Sequence, residues 1–406
     1  MTLPRKISSY NFYAFLWHAG FLAFAQNFMD VDTVIPSMVV ESGGNAIHVG
    51  IMTAIMLGGS SFTQLIFAPY ISNKPFKKKF LLFGINSRVL SLLALSTTFF
   101  FIQSHRSGFI LWFIFLFISI FSLSGAFANI SYTDIIGKSI NEQKRKTFFS
   151  ARQIIAGIIV LFSAFMAKKT LTLASFPVNY AYMFFIGGAL LLIASGGFWK
   201  VKEQVPSVLK ISGLREFYKV LKSELIHNKK LAYFLGFVNT QGIAISFLPF
   251  VVLYAKEVFN TKSSDTGSFL LFKVIGVVMI SFIVLLVSKK IKYKWLLYSN
   301  VFLSLFLSII VFNIENLANL KYLFILGGVV YSIYSITMNG VLLEVSGHQN
   351  RALYAGFAGA GNILPAVFPL AGGWVISQFG FQAFFGLFIF IISFAFYFIY
   401  KIDCKK

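Results

Sequence analysis

Twelve apolar stretches, each of about 20 residues or more, constrain the fold of this chain more than any other feature of its sequence. A stretch of this kind crosses a bilayer as a helix, because a helix satisfies its own backbone N–H and C=O groups. With 57% hydrophobic and only 12% charged residues, a chain of 406 residues cannot form a soluble domain. The sequence therefore predicts an all-α polytopic membrane protein with twelve transmembrane helices. The stretches lie at approximately 12–38, 46–71, 80–102, 109–136, 148–172, 180–199, 231–255, 267–288, 295–314, 321–343, 352–378 and 381–400.

Lysine and arginine are concentrated in every second loop between these stretches. With the N-terminus in the cytoplasm, 27 of the 35 basic residues, including those of 138–152, lie inside, and six lie outside. This bias predicts a multi-pass protein of the inner or plasma membrane with both termini cytoplasmic. It also accounts for the net charge of +22 without a nucleic-acid partner.

The polar stretch 201–230 divides the apolar stretches into two groups of six. Leu214, Phe217, Leu221 and Leu225 recur at helical spacing in it, which predicts an amphipathic linker on the cytoplasmic membrane surface. The predicted organisation is an N-terminal bundle over 1–200, the linker over 201–230, and a C-terminal bundle with its tail over 231–406.

The sequence contains no motif typical of metal, cofactor or catalytic chemistry. Cys404 is the only cysteine, and the five histidines have no metal-ligand spacing, so neither a disulfide framework nor a metal site is predicted. Neither a phosphate-binding loop nor a nucleophile elbow is found, so no cofactor and no catalytic residue is expected. We also expect a monomer, because two bundles in one chain require no partner.

Two carboxylates, Asp30 and Asp32, lie in the outer half of the first apolar stretch. A charge at the bilayer centre costs roughly 2.5 kcal/mol or more, so both acids should face protein or water and are candidate coupling groups. On a continuous helix, Asp30 shares a polar stripe with Gln26, Thr33 and Ser37, whereas Asp32 lies about 200° away. Asp30 then faces a cavity, and Asp32 needs a partner on another helix.

Two cations also lie within predicted spans. Lys273 in span eight is at a depth comparable to that of Asp32 and is its expected partner, besides being a candidate for the substrate cavity. Arg88 in span three is nearer in depth to Asp134, and a static Arg88–Asp134 pair is expected in preference to a substrate site. The remaining candidates for the cavity are polar residues of the spans: Gln26, Asn27, Gln64, Asn129, Tyr132, Asn239, Gln241, Asn339 and Asn362.

The two groups of six stretches resemble each other when they are overlaid. The segment 79–83 matches 294–298, Pro36 matches Pro249, and Gly50 matches Gly267, with offsets between 213 and 217. Acid–base pairs recur at the cytoplasmic ends of spans four and ten, as Asp134 with Arg145 and Glu344 with Arg351. Six spans return the chain to its starting side, so the copies are parallel repeats.

With this repeat, the chain resembles the major facilitator superfamily over essentially its full length. The family has a signature between spans two and three, and here the segment 69–79 keeps its basic positions at Lys74, Lys77 and Lys78. Pro69 and Phe76 replace the two glycines, and Asn73 replaces the acid that helps to latch the cytoplasmic gate in the family. The resemblance implies that spans one, four, seven and ten face a central cavity.

These features predict a secondary transporter that moves a small solute through a central cavity by alternating access. An Asp that binds a proton when it is desolvated can couple proton movement to transport, and Asp30 is the preferred group. Sodium is the alternative ion, held by Asp30 with oxygens of Gln26, Asn27 or Thr33. The alternative functions are a polytopic membrane enzyme acting on a lipid-linked substrate, and a transporter-like sensor or scaffold that does not cycle.

Overall fold

The computed structural model describes residues 4–101, 107–207, 214–287, 291–346 and 362–402. Within these ranges the chain is almost entirely helical and contains no strand. The α-helices are α1 (Arg5–Gln26), α2 (Val34–Glu41), α3 (Ala46–Ser72), α4 (Lys78–Phe101), α5 (Ser107–Ser139), α6 (Glu142–Thr172), α7 (Val178–Lys200), α8 (Leu214–His227), α9 (Lys229–Gln241), α10 (Phe247–Phe259), α11 (Ser263–Val287), α12 (Tyr293–Phe312), α13 (Leu317–Ser346), α14 (Ile363–Ser393) and α15 (Ala395–Lys401). Two 3₁₀ helices, Asn27–Met29 and Gly242–Ser246, complete the described elements.

Ten helical segments in the described ranges are long and apolar enough to cross a membrane. They differ from the twelve predicted spans in two places. The first predicted span is divided between α1 and α2, with a 3₁₀ helix and a turn between them. The last segment, Ile363–Lys401, covers parts of both predicted spans eleven and twelve, and Gly380 interrupts it with a φ of 79°. That left-handed conformation suits glycine, and it falls where the sequence predicts a loop.

The first and seventh predicted spans each contain a 3₁₀ segment at a similar place, although only the first is interrupted by extended backbone and a turn. In each, an α-helix passes into a 3₁₀ helix, and a second α-helix then begins that has proline as its third residue, Pro36 in α2 and Pro249 in α10. Proline has no N–H and its ring clashes with the carbonyl four residues earlier, so it favours the first turn of a helix, which is its place in both α2 and α10. The 3₁₀ segment and the proline that the two spans share support the internal repeat found in the sequence.

The break contradicts the continuous polar stripe expected across Gln26, Asp30, Thr33 and Ser37. Asp30 has the extended dihedral angles φ −64° and ψ 125°, and a turn follows before α2 begins at Val34. Helical spacing across this segment is therefore the wrong guide to which acid faces which neighbour.

Contacts divide the chain into two compact units. Unit 1 comprises residues 1–30 and 59–218, and unit 2 comprises residues 31–58 and 219–406. In unit 1, α4 packs against α5 and α7, while α1 packs against α6 and α7. In unit 2, α11 packs against α13, and α2 packs against α10 and α11. The bundle limits predicted from the repeat, 1–200 and 231–406, are a separate division and stay a prediction.

One close approach in unit 2 fixes a functional side chain. Gly328 of α13 lies against the backbone carbonyl of Lys273 in α11, with no room for a Cβ atom. Gly276, one turn further along α11, similarly touches the backbone of Ile325. Helices approach this closely where small residues line their interface. The position of Lys273 is therefore set by a glycine-mediated helix contact.

Candidate functional site

Asp32 and Lys273 form a buried ion pair in unit 2. Lys273 Nζ lies 2.5 Å from Asp32 Oδ2, and each residue is 6% exposed. Asp32 lies in the turn before α2, and Lys273 lies on α11, so the pair joins the first predicted span to the eighth. The Lys273 ammonium also lies 5.5 Å from the ring centroid of Tyr331 on α13. The pairing expected from the sequence is thus present in the structure.

Further polar contacts connect the same elements of unit 2. Glu41, at the end of α2, accepts hydrogen bonds from Lys256 Nζ (2.6 Å) and Ser263 Oγ (2.7 Å). The hydroxyls of Ser37 and Thr266 are 2.7 Å apart. Lys256 lies on α10, and Ser263 and Thr266 lie in the first turn of α11. Together with Asp32–Lys273, these contacts attach α2 to α10 and α11 along its length; we call them the α2 contact set. Sequence reasoning missed Glu41 and Lys256, because charges at the ends of spans are common and carry no distinguishing signal.

A cavity of about 150 Å³ lies in unit 1 among α1, α4, α5, α6 and α7. Three residues expected from the sequence line it: Gln26, Asn129 and Tyr132. The structure adds three that the sequence did not indicate as cavity residues, namely Arg88, Arg152 and His18. Arg152 belongs to a basic cluster expected in a cytoplasmic loop, but it lies within α6, which starts at Glu142 and so brings it into the bundle. The cavity wall therefore combines apolar side chains with polar groups and two guanidinium groups.

Aromatic rings hold the basic side chains of this cavity. The guanidinium carbon of Arg88 lies 4.0 Å from the ring centroid of Phe121, and that of Arg152 lies 5.8 Å from the ring centroid of Tyr132. His18 stacks on Phe198 with ring centroids 3.6 Å apart. Cation–π contacts of this kind favour Arg over aromatic faces and restrict its orientation.

The predicted Arg88–Asp134 pair is not what the structure contains. Asp134 instead lies 2.9 Å from Lys77 Nζ and 2.8 Å from Lys138 Nζ, and it accepts a hydrogen bond from Ser207 Oγ. The expectation relied on similar depth in the membrane, which does not fix the face of a helix on which a side chain lies. Lys138 is four residues after Asp134 on α5 and so shares its face.

The predicted Asp134–Arg145 pair is also replaced by these lysines. Arg145 donates hydrogen bonds to the carbonyl oxygens of Gly137 and Ile140, which close the C-terminal end of α5. For the corresponding pair in the second repeat, Arg351 and the side chain of Glu344 lie outside the described residues.

An acid that the family-like signature lacks is supplied from elsewhere in unit 1. Glu203, in the segment after α7, accepts hydrogen bonds from the backbone N–H groups of Lys77 and Lys78 at 2.8 Å to 3.0 Å. It also lies 2.7 Å from Lys138 Nζ. A carboxylate at the first N–H groups of α4 is favoured by the helix dipole and by the hydrogen bonds themselves. The loop before α4 is therefore anchored although Asn73 carries no charge.

Four other candidate residues have structural roles. Asn27 Nδ2 donates to the carbonyl of Val160, and Gln241 Nε2 donates to Ser304 Oγ. Asn239 Oδ1 accepts from the N–H of Leu364, which is in the first turn of α14. Asn362 is the N-cap residue of that helix, and its buried Oδ1 makes no hydrogen bond within the described residues.

The remaining candidates are Gln64, Asn339 and Asp30. Gln64 is half-buried on α3 and does not line the unit 1 cavity. Asn339 lies on α13, but its side chain is outside the described set. Asp30 is half-buried at the end of the 3₁₀ helix that follows α1, two residues before Asp32.

Helical segments of this number, length and apolarity define a polytopic membrane protein. A family model for the Major Facilitator Superfamily matches residues 16–361, and the chain belongs to this family of membrane transporters. No curated protein matches the chain.

Solved structures of three transporters share the fold at low sequence identity. The partially occluded inward-open xylose transporter XylE from E. coli has a TM-score of 0.70 and 13% identity, with 98% of each chain covered. A point mutant of the nucleoside transporter NupG has a TM-score of 0.68 and 14% identity, covering 96% of this chain and 98% of its own. An auto-inhibited peptide transporter of the POT family has a TM-score of 0.68 and 11% identity, covering 97% and 96%. At these identities the likeness concerns the fold alone.

Proposed function

We propose that this chain moves a small solute across the membrane by alternating access and that the movement is coupled to protons. The observation that carries the proposal is the buried Asp32–Lys273 pair, which ties the broken part of the first span to α11. Burying such a pair costs desolvation free energy, so we infer that the pair has a role beyond stability. A structure of a D-xylose-proton symporter with the same fold, at a TM-score of 0.67 and 12% identity, is consistent with proton coupling in this architecture.

The two acids of the broken segment take different parts in the proposed mechanism. Asp32 is buried and held by Lys273, so it keeps α2 on α11 in the conformation described here. Asp30 is only half-buried and lies in irregular backbone, so water reaches it more readily. Proton binding at Asp30 then accompanies separation of the α2 contact set, and proton release follows when that set reforms.

The test of coupling is accumulation of solute in proteoliposomes. The reconstituted full chain is given a mixture of labelled metabolites under an imposed pH gradient, and the accumulated solutes are identified by mass spectrometry. We expect accumulation by the wild type and its loss in Asp30→Asn, whereas exchange of the same solute without a gradient continues. Asp265→Asn is the matched control, because it makes the same change at an acid in the first turn of α11.

Four outcomes contradict this proposal. Gradient-driven accumulation that is unchanged in Asp30→Asn removes Asp30 from the coupling step. Accumulation that depends on a sodium gradient and does not depend on the pH gradient identifies sodium as the coupling ion. Absence of any flux under either gradient favours the sensor or scaffold, and chemical conversion of a lipid-linked substrate favours the membrane enzyme.

The proposed orientation places both termini in the cytoplasm of a cell bounded by an inner or plasma membrane. Cys404 is the only cysteine and lies in the C-terminal tail, so it serves as a natural reporter. A membrane-impermeant thiol reagent should label it in inside-out vesicles and not in right-side-out vesicles, and Cys404→Ser provides the blank.

A further inference from the structure

The cavity of unit 1 is lined by cations without a matching acid. Arg88 comes from α4 and Arg152 from α6, and His18 of α1 lies on the same wall. Among the described residues that line the cavity, none is Asp or Glu. An arginine within a membrane span is costly unless a counter-charge or polar partner is present. An anion bound in the cavity would supply the counter-charge that these described lining residues do not.

Arg88 is held so that part of its guanidinium remains available. Its planar group lies over Phe121, and Gly125, one turn further along the same helix, is the neighbouring position. Its Nε atom is buried and makes no hydrogen bond within the described residues. A buried donor left without a partner is unfavourable, and more so on a charged group. Asp134, the acid nearest in predicted depth, is occupied by Lys77 and Lys138.

Arg152 reaches the cavity from another helix over an ordered aromatic surface. The ring of Tyr132, beneath the Arg152 guanidinium, makes an edge contact with Phe15 at 5.7 Å and lies 5.8 Å from the Phe198 ring. Two guanidinium groups on separate helices thus face one space of about 150 Å³. Guanidinium is the cationic group that matches the geometry of carboxylate and phosphate oxygens with paired N–H donors.

From these observations we infer that the unit 1 cavity binds the oxyanion group, carboxylate or phosphoryl, of a small organic anion that is the transported solute. Arg88 and Arg152 are the oxyanion-binding residues, and Gln26 and Asn129 offer further polar contacts. The inference rests on the proposed transport function, to which it adds the substrate class. A cavity of about 150 Å³ is the size that binds benzene, so the group held here is small.

The experiment compares matched charged and neutral probes on the purified full-length chain. Thermal stabilisation is measured with benzoate against benzamide, succinate against succinamide, and phenyl phosphate against phenol. The chains compared are the wild type, Arg88→Gln, Arg152→Gln and Arg88→Lys. Lys169→Gln is the matched control, because Lys169 is an exposed cation in the last turn of α6.

We expect at least one oxyanion to stabilise the wild type while its neutral counterpart does not. Loss of a charged hydrogen bond should weaken that binding by about 10-fold to 100-fold in each Arg→Gln variant. Arg88→Lys keeps the charge but loses the paired donors, so its affinity should fall between those of wild type and Arg88→Gln. Lys169→Gln should bind as the wild type does. The carboxylate and phosphate arms identify which oxyanion is preferred.

The proposal is overturned if no oxyanion stabilises the wild type beyond its neutral counterpart, or if stabilisation is unaffected in Arg152→Gln and Arg88→Lys. If Arg88→Gln does not fold, Arg152→Gln still tests the proposal. Failure of this inference is distinguishable from failure of the transport proposal. Gradient-driven uptake of a neutral solute without oxyanion binding rejects only the anion site, whereas oxyanion binding without flux rejects only transport.

Discussion

Loss of Lys273 should release α2 from α11, and the structure gives a magnitude for this effect. The Asp32–Lys273 pair is 2.5 Å long, and both residues are 6% exposed, so Lys273→Met leaves a buried carboxylate without its cation. Breaking a buried pair by removing one partner costs about 3–5 kcal/mol. A difference of about 3 kcal/mol between two conformations changes their ratio roughly 150-fold. The conformation in which the α2 contact set is separated should gain population by a factor of this order.

Thiol labelling at a buried position of the same interface measures that population. Thr266 is fully buried and its hydroxyl contacts Ser37, so Thr266→Cys in a Cys404→Ser background places one thiol within the α2 contact set. The rate of reaction with a membrane-impermeant maleimide should rise strongly when Lys273→Met is added. Lys262→Met, a change at an exposed lysine nearby, should leave the rate as it was.

The double variant Asp32→Asn with Lys273→Met separates pairing from general disruption. With both charges removed, no carboxylate is left buried alone, and the increase in labelling should be smaller than in the single variant. Labelling in Lys273→Met that is indistinguishable from the Lys262→Met control would refute the view that this pair holds the interface together.

Three further predictions concern neighbouring contacts. Glu203→Gln should destabilise the start of α4 by about 1–2 kcal/mol of free energy and so increase tryptic cleavage at Lys77 and Lys78. Unchanged cleavage would show that Glu203 does not anchor the loop before α4. Gly328→Leu forces a side chain against the Lys273 carbonyl and should cost at least about 1–3 kcal/mol, seen as a lower melting temperature, whereas Gly386→Leu, where a Cβ has open space, should not. Asn239→Leu removes the acceptor for the Leu364 N–H and should lower thermal stability by about 1 kcal/mol, while Asn239→Asp should retain it; equal losses in both would exclude the capping role.

Properties that depend on local sequence were predictable. Apolar length predicts the ten membrane-length segments of the described ranges, and the loop expected near residue 380 coincides with Gly380 and its positive φ. The Asp32–Lys273 pair was also predictable, because two buried opposite charges at similar depth have few other partners in a span. The match of Pro36 with Pro249 indicates a repeat, and proline at that position also indicates an irregular turn before it, because it removes a backbone hydrogen bond.

The helix faces that contact one another were not predictable from one sequence. Arg88 and Asp134 lie at similar depth in the predicted spans. Arg88 nevertheless contacts Phe121, whereas Asp134 pairs with Lys77 and Lys138. Arg152 was grouped with the cytoplasmic basic residues of 138–152 although the predicted fifth span begins at residue 148, and α6, which begins at Glu142, places it in the bundle. Helix rotation and the start of a charged helix are decided by tertiary contacts, which a hydropathy pattern does not contain.

The first helices of the two repeats share part of their irregular geometry but not their charges. Each contains a 3₁₀ segment followed by an α-helix with proline in its first turn, and only the first repeat adds extended backbone and a turn. The residues that correspond to Asp30 and Asp32 in the second repeat are Ile243 and Ile245, which cannot ionise. Irregular backbone at membrane depth is tolerated only where protein or a water-filled cavity surrounds it. The 3₁₀ segment and the proline after it are therefore shared by both repeats, whereas the interrupted backbone and its two ionisable residues belong to the first repeat alone.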